Sequence, residues 1–229
     1  MTKDAVLALA MGGPDSIEAI EPFLKNLLND REIINFGIGE TLQRVIANRI
    51  AAKRSIKVAP NYQKMGGGSP QYPHTKALLD KAAPLYEERT GVKLDVYIGM
   101  CYWHPYIEDS MKALLEADRR ESYRRVILLP LYPQYATVTS GVCFNRVHKI
   151  MALTAPQGIV CRINQFHTFE PYLKCTADRI FKAAEKLGVP MEEAHLMFSA
   201  HSTPQSVIDN GDPYVEQLTE EMGKLVAMK

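Results

Sequence analysis

Cysteine is sparse and scattered: four residues, at 101, 143, 161 and 175, with no C-x-x-C pair. That spacing excludes the common zinc ribbons and offers no ligand set for an iron–sulfur cluster. An excess of one charge is also missing, since 27 basic side chains stand against 26 acidic ones, leaving +1. A nucleic-acid binder would be expected to carry a strongly basic balance, so that class is set aside. There is no low-complexity tract and no short internal repeat. The apolar stretch at the amino terminus, Ala5–Met11, runs for only seven residues before Gly12. It is too short to span a membrane and lacks the shape of a signal peptide. Four free thiols without a secretion signal point to a reducing cytoplasm, with peripheral membrane contact left open.

What is present is an ordinary globular composition, 46% hydrophobic and 23% charged over 229 residues. A chain of this size buries roughly 70% of its unfolded surface, enough for a core without disulfide staples. Five short apolar runs are predicted as buried parallel strands: Val6–Met11, Leu94–Gly99, Val126–Leu131, Gly158–Ile163 and His195–Ser199. Few interior charges interrupt them, as expected where helices cover both faces of a sheet. Between them lie helical patterns at Ile17–Leu28, Ser69–Thr90, Tyr106–Asp118, Phe169–Leu187 and Asp212–Met228. Asp15 or Ser16 can cap the first helix, and prolines open the second. Strand alternating with helix predicts an α/β protein with doubly wound, Rossmann-like halves and parallel sheets. A division near residue 150 gives a first half over 1–150 and a second over 151–229. Only two strands fall in the second half, so it reads as incomplete.

Open α/β sheets bind ligands beyond the carboxyl ends of their strands, so chemistry is sought there. Met11-Gly12-Gly13-Pro14-Asp15-Ser16 follows the first strand and serves either as a plain turn or as a close approach to a flat ligand. Met65-Gly66-Gly67-Gly68-Ser69-Pro70 reads equally as a flexible turn or as a cradle of bare N–H groups for an anion. No Lys-Ser/Thr pair follows it, so a nucleotide loop is a weak reading. Met100-Cys101-Tyr102-Trp103-His104 and Tyr132-Pro133-Gln134-Tyr135 offer aromatic surface, for a core or for a flat ligand. The most informative stretch is Phe198-Ser199-Ala200-His201-Ser202. It sets an imidazole just past a predicted strand end among small residues, where a base or a metal ligand belongs.

Six segments together carry a resemblance. They are MGGPDS at 11–16, the run from Glu21 to Ile34, MGGGSP at 65–70 and GM-YWHP at 99–105. LPLYPQY with T-TSG at 129–141, and FSAHS-P with GDPY at 198–214, complete the set. In content and order the chain resembles the ferrochelatases over essentially its whole length. The resemblance implies two similar doubly wound halves with a cleft between them. It also implies a lyase that inserts ferrous iron into protoporphyrin IX to form haem. By it, His201 is the catalytic residue that takes pyrrole protons or handles the metal, and Met11 packs against the macrocycle. Tyr102, Tyr135, Ser199 and Lys64 are the implied substrate contacts, Lys64 near a propionate. Porphyrin and ferrous iron are the expected partners, with iron as substrate and no tightly bound cofactor.

The chemistry fits those residue types. Metal insertion exchanges two pyrrole protons for one cation, which calls for a proton acceptor at the macrocycle face. A shaped apolar wall bends the ring so that its nitrogens point at the metal. Three departures from the family pattern stand out. Cys101 stands where an arginine is common, Gln63-Lys64 replaces arginines, and Thr203 replaces an aliphatic residue. Lys64 keeps the charge but not the planar fork of arginine. Relatives run about a third longer and carry an acid facing the histidine. The chain is therefore expected to be a truncated or split form, prone to dimerise or to associate through its unfinished second half. A non-catalytic tetrapyrrole-binding protein or split-enzyme subunit is the alternative. A phosphate-binding protein using Gly66–Gly68 is a distant third.

Overall fold

The structure is a computed structural model that describes residues 3–228. These fall into two compact units. The first comprises residues up to Leu131 together with Val138–Ile163, and the second comprises Tyr132–Thr137 and the chain from Asn164 onward.

In the first unit, β1 (Lys3–Ala10) leads through α1 (Ile20–Asn29), α2 (Glu40–Lys64) and α3 (Gln71–Thr90) to β2 (Lys93–Met100). There follow α4 (Ile107–Glu121), β3 (Arg125–Pro130), a π-helical turn at Thr137–Gly141, α5 (Val142–Met151) and β4 (Ile159–Arg162). The four strands make one parallel sheet in the order β2-β1-β3-β4. Val6 pairs with Val96 on one side and Ile127 on the other, so β1 is central. Its residues from Asp4 to Ala10 are all buried, which is why its sequence from Ala5 to Ala10 is continuously apolar rather than alternating. Val6 and Ala8 pack with Leu79 of α3 on one face. Helix α4 covers the other face, closely enough that a Cβ on Gly99 would lie 3.0 Å from Ile107. Helices on both faces make this a doubly wound α/β unit.

Helix α2 was not among the predicted elements. It buries Gln43, Ala47 and Ala51, a stripe of small and polar residues spaced four apart, so no apolar period marks it. Gln43 donates to the Ile34 carbonyl at 2.7 Å, and Asn48 receives Asn29 from α1 at 3.0 Å.

The amino ends of the strands carry a polar clasp. Arg124 donates twice to Asp4, at 3.0 and 2.7 Å, and the Tyr86 hydroxyl donates to the same carboxylate at 2.6 Å. Asp118, 1% exposed, accepts the backbone N–H groups of Tyr123 at 2.8 Å and Gln157 at 2.6 Å. It thereby pins the approach to β4.

The second unit holds α6 (Glu170–Leu187), α7 (Gln205–Asp209) and α8 (Tyr214–Ala227). Leu173 and Ala177 of α6 pack on Leu225 of α8. Polar side chains tie down the segment Tyr132–Thr137. Gln217 accepts the Tyr135 N–H at 2.8 Å, and Asp212 accepts Thr137 at 2.6 Å and Tyr214 at 2.9 Å.

Two expectations are corrected. The strand at Gly158–Ile163 forms as β4 but belongs to the first sheet, in register with β3 (Val126 opposite Val160). The division therefore falls after Ile163 rather than at 150. The strand expected at His195–Ser199 does not form, and among the described residues the second unit has none. An extended segment gains no ladder hydrogen bonds without a neighbouring strand, and Met197 is 95% exposed.

Candidate functional site

The chain leaves β1 toward β2 on one side and later reaches β3 on the other. The topological switch point of the first unit thus lies at the carboxyl ends of β1 and β3. Met11 follows β1 at this point and is half-buried. Its carbonyl accepts the Tyr102 N–H at 2.9 Å, just as the Ala10 carbonyl accepts that of Cys101 at 3.0 Å.

Tyr102 does not line an open wall. It is 1% exposed, donates its hydroxyl to Asp30 at 2.7 Å, and has the Arg146 guanidinium 5.0 Å from its ring centroid. Burial, and then the Asp30 hydrogen bond, push its phenol far above the usual range. Arg146 also pairs with Asp30 at 2.9 Å. Burial alone would raise the Asp30 carboxyl, but the hydrogen bonds from Tyr102 and Arg146 outweigh it and hold the group below its ordinary value. The side chain expected to be a substrate contact is thus buried here against Asp30 and Arg146. His104 is exposed, with its ring 4.4 Å from that of Tyr106.

Lys64 ends α2 and is exposed, immediately before the triple-glycine loop. That loop is not an open anion cradle. Gly66 and Gly67 donate to the carbonyls of Gln63 and Tyr62, and Ser69 donates to Pro14 at 2.7 Å, so these N–H groups are already spent. The glycines instead let two loops touch. A Cβ on Gly68 would lie 2.3 Å from the Asp15 carbonyl oxygen, and one on Gly13 would lie 2.5 Å from the Ser69 hydroxyl. Gly68→Ala is therefore expected to cost about 2 kcal/mol through forced separation of backbones. A thermal melt should register this as a fall of roughly 4–8 °C. An unchanged melting temperature would refute the close packing.

In the second unit, Ser199 and His201 lie on the irregular, exposed segment before α7. They share a groove of about 330 Å³ with Gln134, Tyr172, Tyr214 and Glu221. The His201 Nδ1 lies 2.8 Å from the Ser202 carbonyl oxygen. A carbonyl can only accept, so Nδ1 carries a hydrogen in this contact, and in the neutral ring the lone pair is then on Nε2. Tyr135 is half-buried and held through its backbone by Gln217.

Glu221 was missed by sequence reasoning. It is 7% exposed and accepts from the Tyr172 hydroxyl at 2.8 Å and from Gln134. The signal was available: Gln217, Glu221 and Leu225 form one buried stripe of α8, and an acid on such a stripe needs partners. Among the described residues no group of three or more His, Cys, Asp or Glu is placed to hold a metal ion, and no helix is long and apolar enough to cross a membrane.

The ferrochelatase family model matches residues 3–229. The chain belongs to the ferrochelatase family. It is 43% identical over 225 residues to the ferrochelatase of Aquifex aeolicus, covering 98% of this chain and 67% of that protein. The ferrochelatase of Geotalea uraniireducens is 40% identical over 218 residues, covering 95% of this chain and 65% of that protein. That of Gloeobacter violaceus is 36% identical over 232 residues. The chain thus spans about two thirds of the length of these ferrochelatases.

Proposed function

We propose that the chain carries the porphyrin-metalating machinery of a ferrochelatase, with protoporphyrin IX and ferrous iron as substrates and His201 as proton acceptor. The observation that carries this reading is the state of His201. Its ring is exposed in a groove and its Nδ1–H is engaged by a backbone carbonyl, which leaves the Nε2 lone pair of the neutral ring as the proton acceptor. Insertion releases two pyrrole protons for each metal bound, and a neutral imidazole takes one at a time and passes it to solvent. Ferrous iron also accepts imidazole nitrogen, so the same lone pair serves metal delivery.

Met11, Tyr135, Ser199 and Lys64 are the proposed porphyrin contacts. Tyr102 acts from behind, holding the Met11 carbonyl. Glu221 has both carboxylate oxygens occupied, so its role is to fix Gln134 and Tyr172 rather than to shuttle protons. An anaerobic assay of ferrous iron or zinc insertion tests the reading. Absence of any metalloporphyrin while porphyrin fluorescence is still quenched would favour the alternative, a tetrapyrrole-binding protein without catalysis. The lack of regular structure around His201 favours that alternative.

Lys64→Ala is expected to weaken porphyrin binding about threefold to tenfold at low salt, with the difference shrinking as salt is added. Equal affinities at both salt levels would remove the propionate contact. Self-association is proposed as well, and light scattering after size exclusion reads it directly.

A further inference from the structure

We propose that Cys101 and Cys143 form a redox-active dithiol, a modification site that reacts with a small disulfide or a hydroperoxide and closes to an intrachain disulfide. Cys101 follows β2 directly and Cys143 sits in the first turn of α5, yet their sulfurs lie 3.3 Å apart. A disulfide bond is about 2.0 Å long, so closure asks the sulfurs to approach by about 1.3 Å. Cys161 is half-buried on β4, and Cys175 is exposed on α6.

Access is one-sided. Both thiols are nearly buried, at 3% and 1% exposure, but Cys101 lines a charged groove of about 1150 Å³ in the first unit, with Asp30, Tyr106 and Arg146 among its walls. Cys143 lies behind it, with its sulfur toward the Ala10 carbonyl. The contact with Cys101, and then burial, push the Cys143 thiol up. Of the two, Cys101 alone lines the groove, so it is the sulfur that meets the reagent, and Cys143 is the resolving one.

With a small disulfide, the Cys101 thiolate attacks one sulfur, forming a mixed disulfide and releasing one small thiolate. Cys143 then gives up its proton, attacks the Cys101 sulfur and releases the second small thiol. The protein pair loses two electrons and two protons, and one small disulfide becomes two thiols. With a hydroperoxide, Cys101 takes the terminal oxygen to become a sulfenic acid, and an alcohol or water leaves. Cys143 then displaces the hydroxyl as water.

The bond would tie the end of β2 to the start of α5 beside the Tyr102–Asp30–Arg146 cluster. Tyr102 adjoins Cys101, and Arg146 stands one turn after Cys143. Trp103, the single tryptophan of the chain, lies two residues from Cys101 and reports on this region.

The test uses the chain carrying Cys161→Ser and Cys175→Ser, treated under native conditions with oxidised glutathione. Peptide mapping without reductant should recover Cys101 joined to Cys143, and the free-thiol titre should fall from two to zero. Trp103 emission should shift and return with dithiothreitol. Adding Cys143→Ser should arrest the reaction with one glutathione on Cys101 and no joined peptide. The proposal is overturned if both thiols stay free under conditions that fully modify Cys175 in the parent chain. It is equally overturned if Cys101 and Cys143 each retain a separate glutathione.

Discussion

His201→Ala is expected to lower metal-insertion turnover about 10²–10⁴-fold, the usual yield of a positioned proton acceptor. Porphyrin affinity should move far less, because the ring is proposed to act on pyrrole protons and metal, not on the propionates or the macrocycle face. The distinction is measurable: fluorescence quenching gives binding, and metalloporphyrin absorbance gives turnover. His201→Ala should also leave the melting temperature nearly unchanged. Its ring is exposed, and its one hydrogen bond is to the carbonyl of the next residue, so little packing is lost. A variant that keeps most of its insertion rate would end the assignment. One that loses rate together with porphyrin binding would reassign the ring to substrate binding.

The first sheet was legible because burial on both faces leaves a plain sign in the sequence. Val6–Met11 and Val126–Leu131 are continuous apolar runs, Leu94–Gly99 is broken only by Asp95, and the three fall on β1, β3 and β2. Helix α2 was not legible because its inner stripe, Gln43-Ala47-Ala51, is chemically unremarked and its large apolar residues Leu42, Val45 and Ile56 face outward. Periodicity detects burial of large side chains, and this helix buries small ones.

His195–Ser199 shows the opposite failure. Its residues have strand character, but a strand is a pairing and not a property of one segment. The glycine loops were half legible. Sequence marks where the backbone is tight, and the close contacts at Gly13 and Gly68 agree. It does not say whether a ligand or another loop makes the close approach, and here it is the other loop. Tyr102 and Glu221 illustrate the same limit for polar groups. The partners that decide their roles, Asp30 and Arg146 for one and Tyr172 and Gln134 for the other, are distant in sequence.

The clasp at the amino ends of the strands should give the largest stability effect, and an asymmetric one. Arg124→Ala is expected to be clearly destabilising, because it leaves the Asp4 carboxylate, which has no exposed surface, without its cation. Asp4→Asn should cost less. The Arg124 side chain is 38% exposed and rehydrates when its partner loses charge, while the Asn carbonyl still accepts from Tyr86.

The pH dependence follows from the same geometry. The two Arg124 hydrogen bonds hold the Asp4 carboxyl below its ordinary value against the opposing pull of burial, with Tyr86 adding to the depression. A carboxyl lowered on folding contributes stability that is fully present above the unfolded value of about 3.9. That contribution is lost as pH falls through the folded value. Wild-type stability should therefore drop on acidification below about pH 4 more steeply than that of Asp4→Asn, and the two denaturation curves should converge. In Arg124→Ala the desolvated carboxylate is released by protonation, so acid should narrow its deficit rather than widen it. Urea melts at a series of pH values read all three slopes. Parallel slopes across the variants would mean that the Asp4–Arg124 pair contributes nothing to folding beyond its shape.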